Sequence, residues 1–173
     1  MDSKRFVSAH EVETLSLQLA KKIEDSGFHP TLLLGIWRGG CIPALYVHEY
    51  LEWKGQKVQH APLKVQSYTG IGQQETVQIE DLSRLYAKLS PRDRILVIDD
   101  VFDTGRTIVA LKTALRKYEM KAGVLFYKPQ KNQTQMIPDF FVEETDAWIV
   151  FPHELQGLSE DELRQRNVSL SRQ

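Results

Sequence analysis

The chain has a single cysteine, Cys41, in 173 residues, so no intrachain disulfide can form, and a reducing compartment is implied. It carries no excess of charge: 22 Lys and Arg stand against 23 Asp and Glu, a formal net charge of -1. That balance removes the electrostatic basis for general nucleic-acid or membrane-surface binding. No apolar run approaches the roughly 20 residues needed to span a bilayer, and the opening "MDSKRFVSAHEVE" is too polar for a secretory signal. The expectation is a soluble, cytoplasmic protein. No G-x-x-x-x-G-K-[ST] occurs, and no G-x-G-x-x-G follows the first apolar run, so P-loop hydrolysis and dinucleotide binding lose their sequence basis together. Internal repeats, low-complexity tracts and linkers are absent as well.

What is present is 42% hydrophobic residues over a length that suits one compact domain, 1–173. Ser8 and Glu11 form a capping-box pattern, and Val12, Leu15, Leu19 and Ile23 follow at helical spacing until Gly27. "TLLLGI" (31–36) reads as a strand stopped by a glycine pair, and "CIPALYVHEYLEWKG" as the helix after it. "KVQHAPLKVQSY" is extended, with Pro62 marking an edge or a break. Residues 67–80, "SYTGIGQQETVQIE", read as a mobile excursion or an irregular hairpin. "RILVID" (94–99), "TIVALKTALRKY" (107–118) and "KAGVLFYK" (121–128) read as strand, helix and strand, with "FFVEE" and "WIVF" as late strands and a last short helix begun by Ser159 and Glu162. Alternating strands and helices predict an α/β fold, a mostly parallel sheet flanked by helices.

The chemistry concentrates in "ILVIDDVFDTGRTI" (95–108). In open α/β sheets ligands bind beyond the carboxyl ends of the strands. Asp103, Thr104, Gly105, Arg106 and Thr107 stand at a helix start, where backbone N–H groups, hydroxyls and a guanidinium can converge on a phosphate. Asp99 and Asp100 would repel that anion unless they faced a cation or sugar hydroxyls, so magnesium and a ribose account for them. An ordinary strand–turn–helix would leave three carboxylates crowded at one edge without a reason.

This run resembles the phosphoribosyl-diphosphate (PRPP) motif of type I phosphoribosyltransferases. "GIWRGG" (35–40) resembles that family's pyrophosphate loop, with Arg38 and Gly39 as the phosphate contacts. "LFYKPQ" and "DAWIVFP" resemble the purine-binding segments of its 6-oxopurine branch, where Lys128 would donate to the exocyclic O6 and Trp148 and Ile149 would hold the ring. The short chain looks most like the bacterial xanthine-guanine and hypoxanthine enzymes. The resemblance implies transfer of the phosphoribosyl group of PRPP to purine N9, with Mg2+ as cofactor and Asp103 as general base. It divides the acidic pair into Asp100 on the metal and Asp99 on the ribose, a division that the sequence itself leaves open. It also implies a homo-oligomer, dimer or tetramer, and a flexible hood that opens with Ser67 and Tyr68.

Three features depart from or escape the pattern. A basic residue expected in the hood is Gln74, and Trp37 is bulkier than the small residue expected beside Arg38. Residues 155–173 match nothing in it. Cys41, His48 and His60 are given no role, and His153 is placed no nearer than the rim of a base pocket. The rival from another class is a regulator that keeps the PRPP fold and binds a nucleotide effector or nucleic acid without turnover; transfer to adenine or orotate is the enzymatic rival, opposed by Lys128 and Trp148.

Overall fold

The computed structural model describes residues 4–69, 75–80, 82–156 and 158–165. Six strands form the main sheet: β2 (Leu32–Trp37), β3 (Gln59–Thr69), β4 (Glu75–Ile79), β5 (Arg94–Phe102), β6 (Glu119–Tyr127) and β7 (Phe140–Glu144), in the order β4-β3-β2-β5-β6-β7. All neighbours run parallel except β3 and β4. The predicted mostly parallel sheet is therefore observed.

The inner strands read as continuous apolar runs because both faces are covered. Leu33, Leu96, Ile98 and Leu125 pack beneath α1 (Ala9–Asp25) and α2 (Cys41–Trp53). On the opposite face Leu32, Leu34, Ile95 and Val97 pack with Ile108 and Leu111 of α4 (Arg106–Ala114). Helix α1 is capped as its sequence indicates: Ser8 Oγ accepts from Glu11 N at 3.1 Å. The Glu11 carboxylate, however, pairs with Arg5 instead of returning to the cap. Ser159 and Glu162 do form a reciprocal box, 2.8 and 3.2 Å, at the start of α5 (Glu160–Gln165).

Four features differ from the sequence reading. Strand β5 continues through Asp99, Asp100, Val101 and Phe102, because β6 keeps pairing with it as far as Phe102↔Tyr127. Helix α4 stops at Ala114, not 118: the Ala114 carbonyl accepts from Tyr86 Oη at 2.6 Å, and Tyr118 N turns to the Leu115 carbonyl at 2.9 Å. Tyr86 belongs to a short helix, α3 (Leu82–Tyr86), that no sequence signal marked. A second sheet pairs β1 (Lys4–Phe6) with β8 (Trp148–Val150), in register Lys4↔Trp148, Arg5↔Ile149 and Phe6↔Val150.

Pro62 breaks nothing. Strand β3 pairs with β2 over 59–64 and with β4 only from Val65 onward, so among the described residues Pro62 sits where one side of the strand carries no ladder. Pairing from Val65↔Ile79 to Thr69↔Glu75 makes the predicted excursion a hairpin. Ser67 and Tyr68 lie in its first strand, and Gln74 lies outside the described residues. No helix among the described residues is long and apolar enough to cross a membrane.

Candidate functional site

The carboxyl ends of β2 and β5 lie side by side, and the glycines after β2 set how closely. A Cβ on Gly39 would run into the Asp100 carboxylate, and one on Gly40 into the Ile98 carbonyl and within 2.8 Å of Asp99 Cα. Only a chain without side chains at both positions can lie against the end of β5. The result is a cleft of about 630 Å³ lined by Arg38, Gly39, Asp99, Asp100, Thr107 and His153, among others.

The acidic pair is tightly held. Asp100 N donates to Asp99 Oδ1 at 3.0 Å, and Val101 N donates to Asp100 Oδ1 at 2.8 Å. Burial pushes the Asp99 carboxyl well above the usual carboxylate range, and the adjacent Asp100 charge pushes it further. Burial raises Asp100 too, opposed by its hydrogen bond with Asp99 and by the charge of His153. At both carboxyls burial thus outweighs what holds them ionised, which at Asp100 includes the charge of His153.

A carboxyl raised above its unfolded value makes the folded chain the better proton binder. Stability contributed by the pair therefore falls as pH rises from about 4, the unfolded value, through the raised folded values. Asp99→Asn should remove this penalty. Without divalent ions its melting temperature is expected to exceed that of the unsubstituted chain by about 3 °C at pH 8, the gap narrowing toward pH 4. Thermal melts across that range check it; a variant that melts lower at pH 8 would contradict the raised carboxyl.

At the start of α4, Gly105 occupies the left-handed region with φ of 80°. The residue before the helix, Gly105, has no side chain with which to cap the first-turn N–H groups. Thr104 is fixed through its carbonyl, which accepts from Gln133 N at 3.0 Å. Thr107 turns into the acidic cleft, and Arg106 is the first helical residue, half-buried. Asp103, with a side chain about half exposed at 48%, accepts from Lys128 Nζ at 3.4 Å. Lys128 is 5% exposed, anchored by its own N–H to the Phe102 carbonyl at 2.9 Å. Its ammonium lies 5.8 Å from the centre of the Trp148 ring. Trp148 is 57% exposed, which leaves ring surface for a ligand, whereas Ile149 turns its side chain into the core.

The predicted residues thus fall into two adjoining groups. Asp99, Asp100, Arg38, Gly39 and Thr107 share one cleft, while Asp103, Lys128 and Trp148 meet beside the start of α4. A family model, phosphoribosyl transferase domain, matches residues 3–159. The chain belongs to the phosphoribosyl transferase domain family. It is 27% identical over 161 residues to the hypoxanthine-guanine-xanthine phosphoribosyltransferase of Plasmodium falciparum, covering 88% of this chain; it spans 62% of the length of that relative. A purine phosphoribosyltransferase from Pyrococcus horikoshii Ot3 superposes with a TM-score of 0.71 at 28% identity, covering 91% of this chain and 98% of that one. A hypothetical protein from Neisseria gonorrhoeae with bound ppGpp superposes with a TM-score of 0.76 at 21% identity, over 96% and 97% of the two chains. At that identity it speaks for the fold alone.

Within this phosphoribosyltransferase fold, one residue has a neighbour that the sequence reading did not give it. His153 Nε2 lies 3.9 Å from Asp100 Oδ2, in the cleft with Arg38 and Gly39. The missing signal is three-dimensional, since the two are 53 positions apart in sequence. A second group left unread is the loop that supports Gly105, where Asn132 Oδ1 accepts from Thr134 N and Oγ1, both at 2.8 Å.

Proposed function

We propose that this chain transfers the phosphoribosyl group of PRPP to N9 of a 6-oxopurine, releasing pyrophosphate. The observation that carries the reading is the meeting of Asp103, Lys128 and Trp148: a proton acceptor, a buried ammonium donor and an open aromatic face on the same side of one helix start. An ammonium favours a carbonyl oxygen over an exocyclic amino group, and a flat heterocycle stacks on indole. Asp103 to Thr107 would hold the 5′-phosphate, Arg38 and Gly39 the pyrophosphate, and the strand around Trp148 and Ile149 the base.

In this reaction the bond from C1′ to the pyrophosphate oxygen breaks and the bond from C1′ to N9 forms. Asp103 takes the proton that leaves purine N7, while Lys128 steadies the charge that gathers on O6. Arg38 and the loop amides receive the negative charge of the departing pyrophosphate. The donor set fits magnesium: two half-buried carboxylates are hard oxygen ligands, and among the described residues no group of three or more His, Cys, Asp or Glu forms a full protein cage. Magnesium takes such partial sites, completing its shell with water and substrate phosphates. When bound against Asp99 and Asp100 it supplies positive charge to the pyrophosphate.

The test is chromatography of reactions containing PRPP and magnesium with hypoxanthine, guanine, xanthine or adenine, each beside a magnesium-free control. Nucleotide from one or more 6-oxopurines, with adenine refused, is the expected result. A second reading is binding of a nucleotide effector without turnover, by a chain that keeps the PRPP fold. No turnover of any base, with PRPP or nucleotide still bound, would establish that reading instead. Lys128→Ala should lower the preference for hypoxanthine over adenine by about tenfold, measured as the ratio of kcat/KM values. An unchanged ratio would move O6 recognition to another group.

A further inference from the structure

We infer that His153 is a positioning residue for PRPP, acting through Asp100, an inference that rests on the reading of the cleft as a PRPP site. The two oxygens of Asp100 are unequally held: Oδ1 accepts from Val101 N at 2.8 Å, while Oδ2 faces His153 Nε2 across 3.9 Å. That separation is longer than a hydrogen bond and within a small inward movement of one. Gly39 packs against the same carboxylate, so its free orientation is decided between the glycine loop and the imidazole.

His153 is not a loose rim side chain. Only 26% of its side chain is exposed. The ring stacks on Phe151 with centroids 5.5 Å apart and planes 22° from parallel. Phe151 is 2% exposed and meets the fully buried Phe126 edge-on at 5.9 Å. The turn that aims the ring is closed by two hydrogen bonds of 3.0 Å, from Phe151 N to Glu154 Oε2 and from Glu154 N to the Phe151 carbonyl. A core-anchored ring aimed at Oδ2 of a cleft carboxylate has the geometry of a group that orients it. A ring N–H on Nε2 donates to Asp100 in either the neutral or the charged form, so the role does not depend on the charge of the ring.

The test is calorimetric titration of PRPP with magnesium and no base, using the unsubstituted chain, His153→Phe and His153→Gln. Phe keeps the stacking on Phe151 and removes the donor; Gln restores a donor. Binding by His153→Phe is expected to be about tenfold weaker, with Gln recovering it to within about threefold. Both variants should melt within about 3 °C of the unsubstituted chain, and KM for the purine should stay unchanged while KM for PRPP rises in the Phe variant. Undiminished PRPP binding by His153→Phe would overturn the inference, as would equal losses in both variants accompanied by a falling melting temperature, which mark a packing role. An unsubstituted chain that binds PRPP but turns over no purine overturns the transfer reaction and leaves this comparison of variants intact. One that binds no PRPP overturns the inference itself.

Discussion

Asp103→Asn is expected to slow phosphoribosyl transfer by about 100- to 10,000-fold, the usual contribution of a positioned general base, while PRPP binding stays within about threefold. Asn matches Asp in shape and still accepts a hydrogen bond from Lys128 Nζ, which lies 3.4 Å away in the native chain. It cannot take a proton from N7. The substitution thus separates holding the substrate from moving its proton. Steady-state kinetics with hypoxanthine, paired with equilibrium PRPP titration, reads both quantities. A rate within about threefold of the unsubstituted chain would remove Asp103 from proton transfer and leave it a phosphate-loop residue alone.

Gly105→Ala is expected to be the most destabilising single methyl group in the phosphate loop. Its φ of 80° costs any L side chain about 1–2 kcal/mol. There is also no room: the added Cβ would lie 2.6 Å from Thr134 Oγ1 and 2.7 Å from the Phe102 ring. Neither neighbour can withdraw easily, since Thr134 is bonded to Asn132 and Phe102 is 2% exposed against Tyr127. Overpacking of this kind adds about 1–3 kcal/mol, so the melting temperature should fall by roughly 5–15 °C, with PRPP binding lost at the same time. Gly105→Asn distinguishes the two causes. Asn tolerates positive φ but needs the same space, so it should recover at most the part of the loss that φ causes. Full recovery by Asn would show that φ alone matters and that the loop yields.

The parts of this site that could be read from sequence are contiguous. In "DDVFDTGRT" and "WRGG" the residues that act together are neighbours in the chain, so composition and spacing carry their chemistry directly. Lys128 and Trp148 were legible through the resemblance and not from their own surroundings, because a lysine at a strand end and an exposed tryptophan have no local signature. What stayed illegible depends on tertiary pairing. The three-residue β1 holds no period to detect, and β8, though legible as a strand in "WIVF", carries no sign of its partner. The end of α4 is set by a hydroxyl from α3, 28 positions earlier. His153 was given no role for the same reason: its partner, Asp100, lies 53 positions earlier, near the end of β5.

The pairing of Lys4–Phe6 with Trp148–Val150 ties the aromatic wall of the base side to a segment roughly 140 residues earlier in the chain. Arg5 secures that segment twice, to Glu11 and to Glu143 at 2.6 Å each, with its guanidinium over the Phe126 ring. During synthesis the loop after β5 waits for residues 132–134, where Gln133 N holds the Thr104 carbonyl, and the wall beside Lys128 waits longer, for β8 to return to β1. Under the proposed roles, the phosphate side is therefore complete before the base side, and a fusion partner or deletion at residues 4–6 would be felt first in the choice of purine.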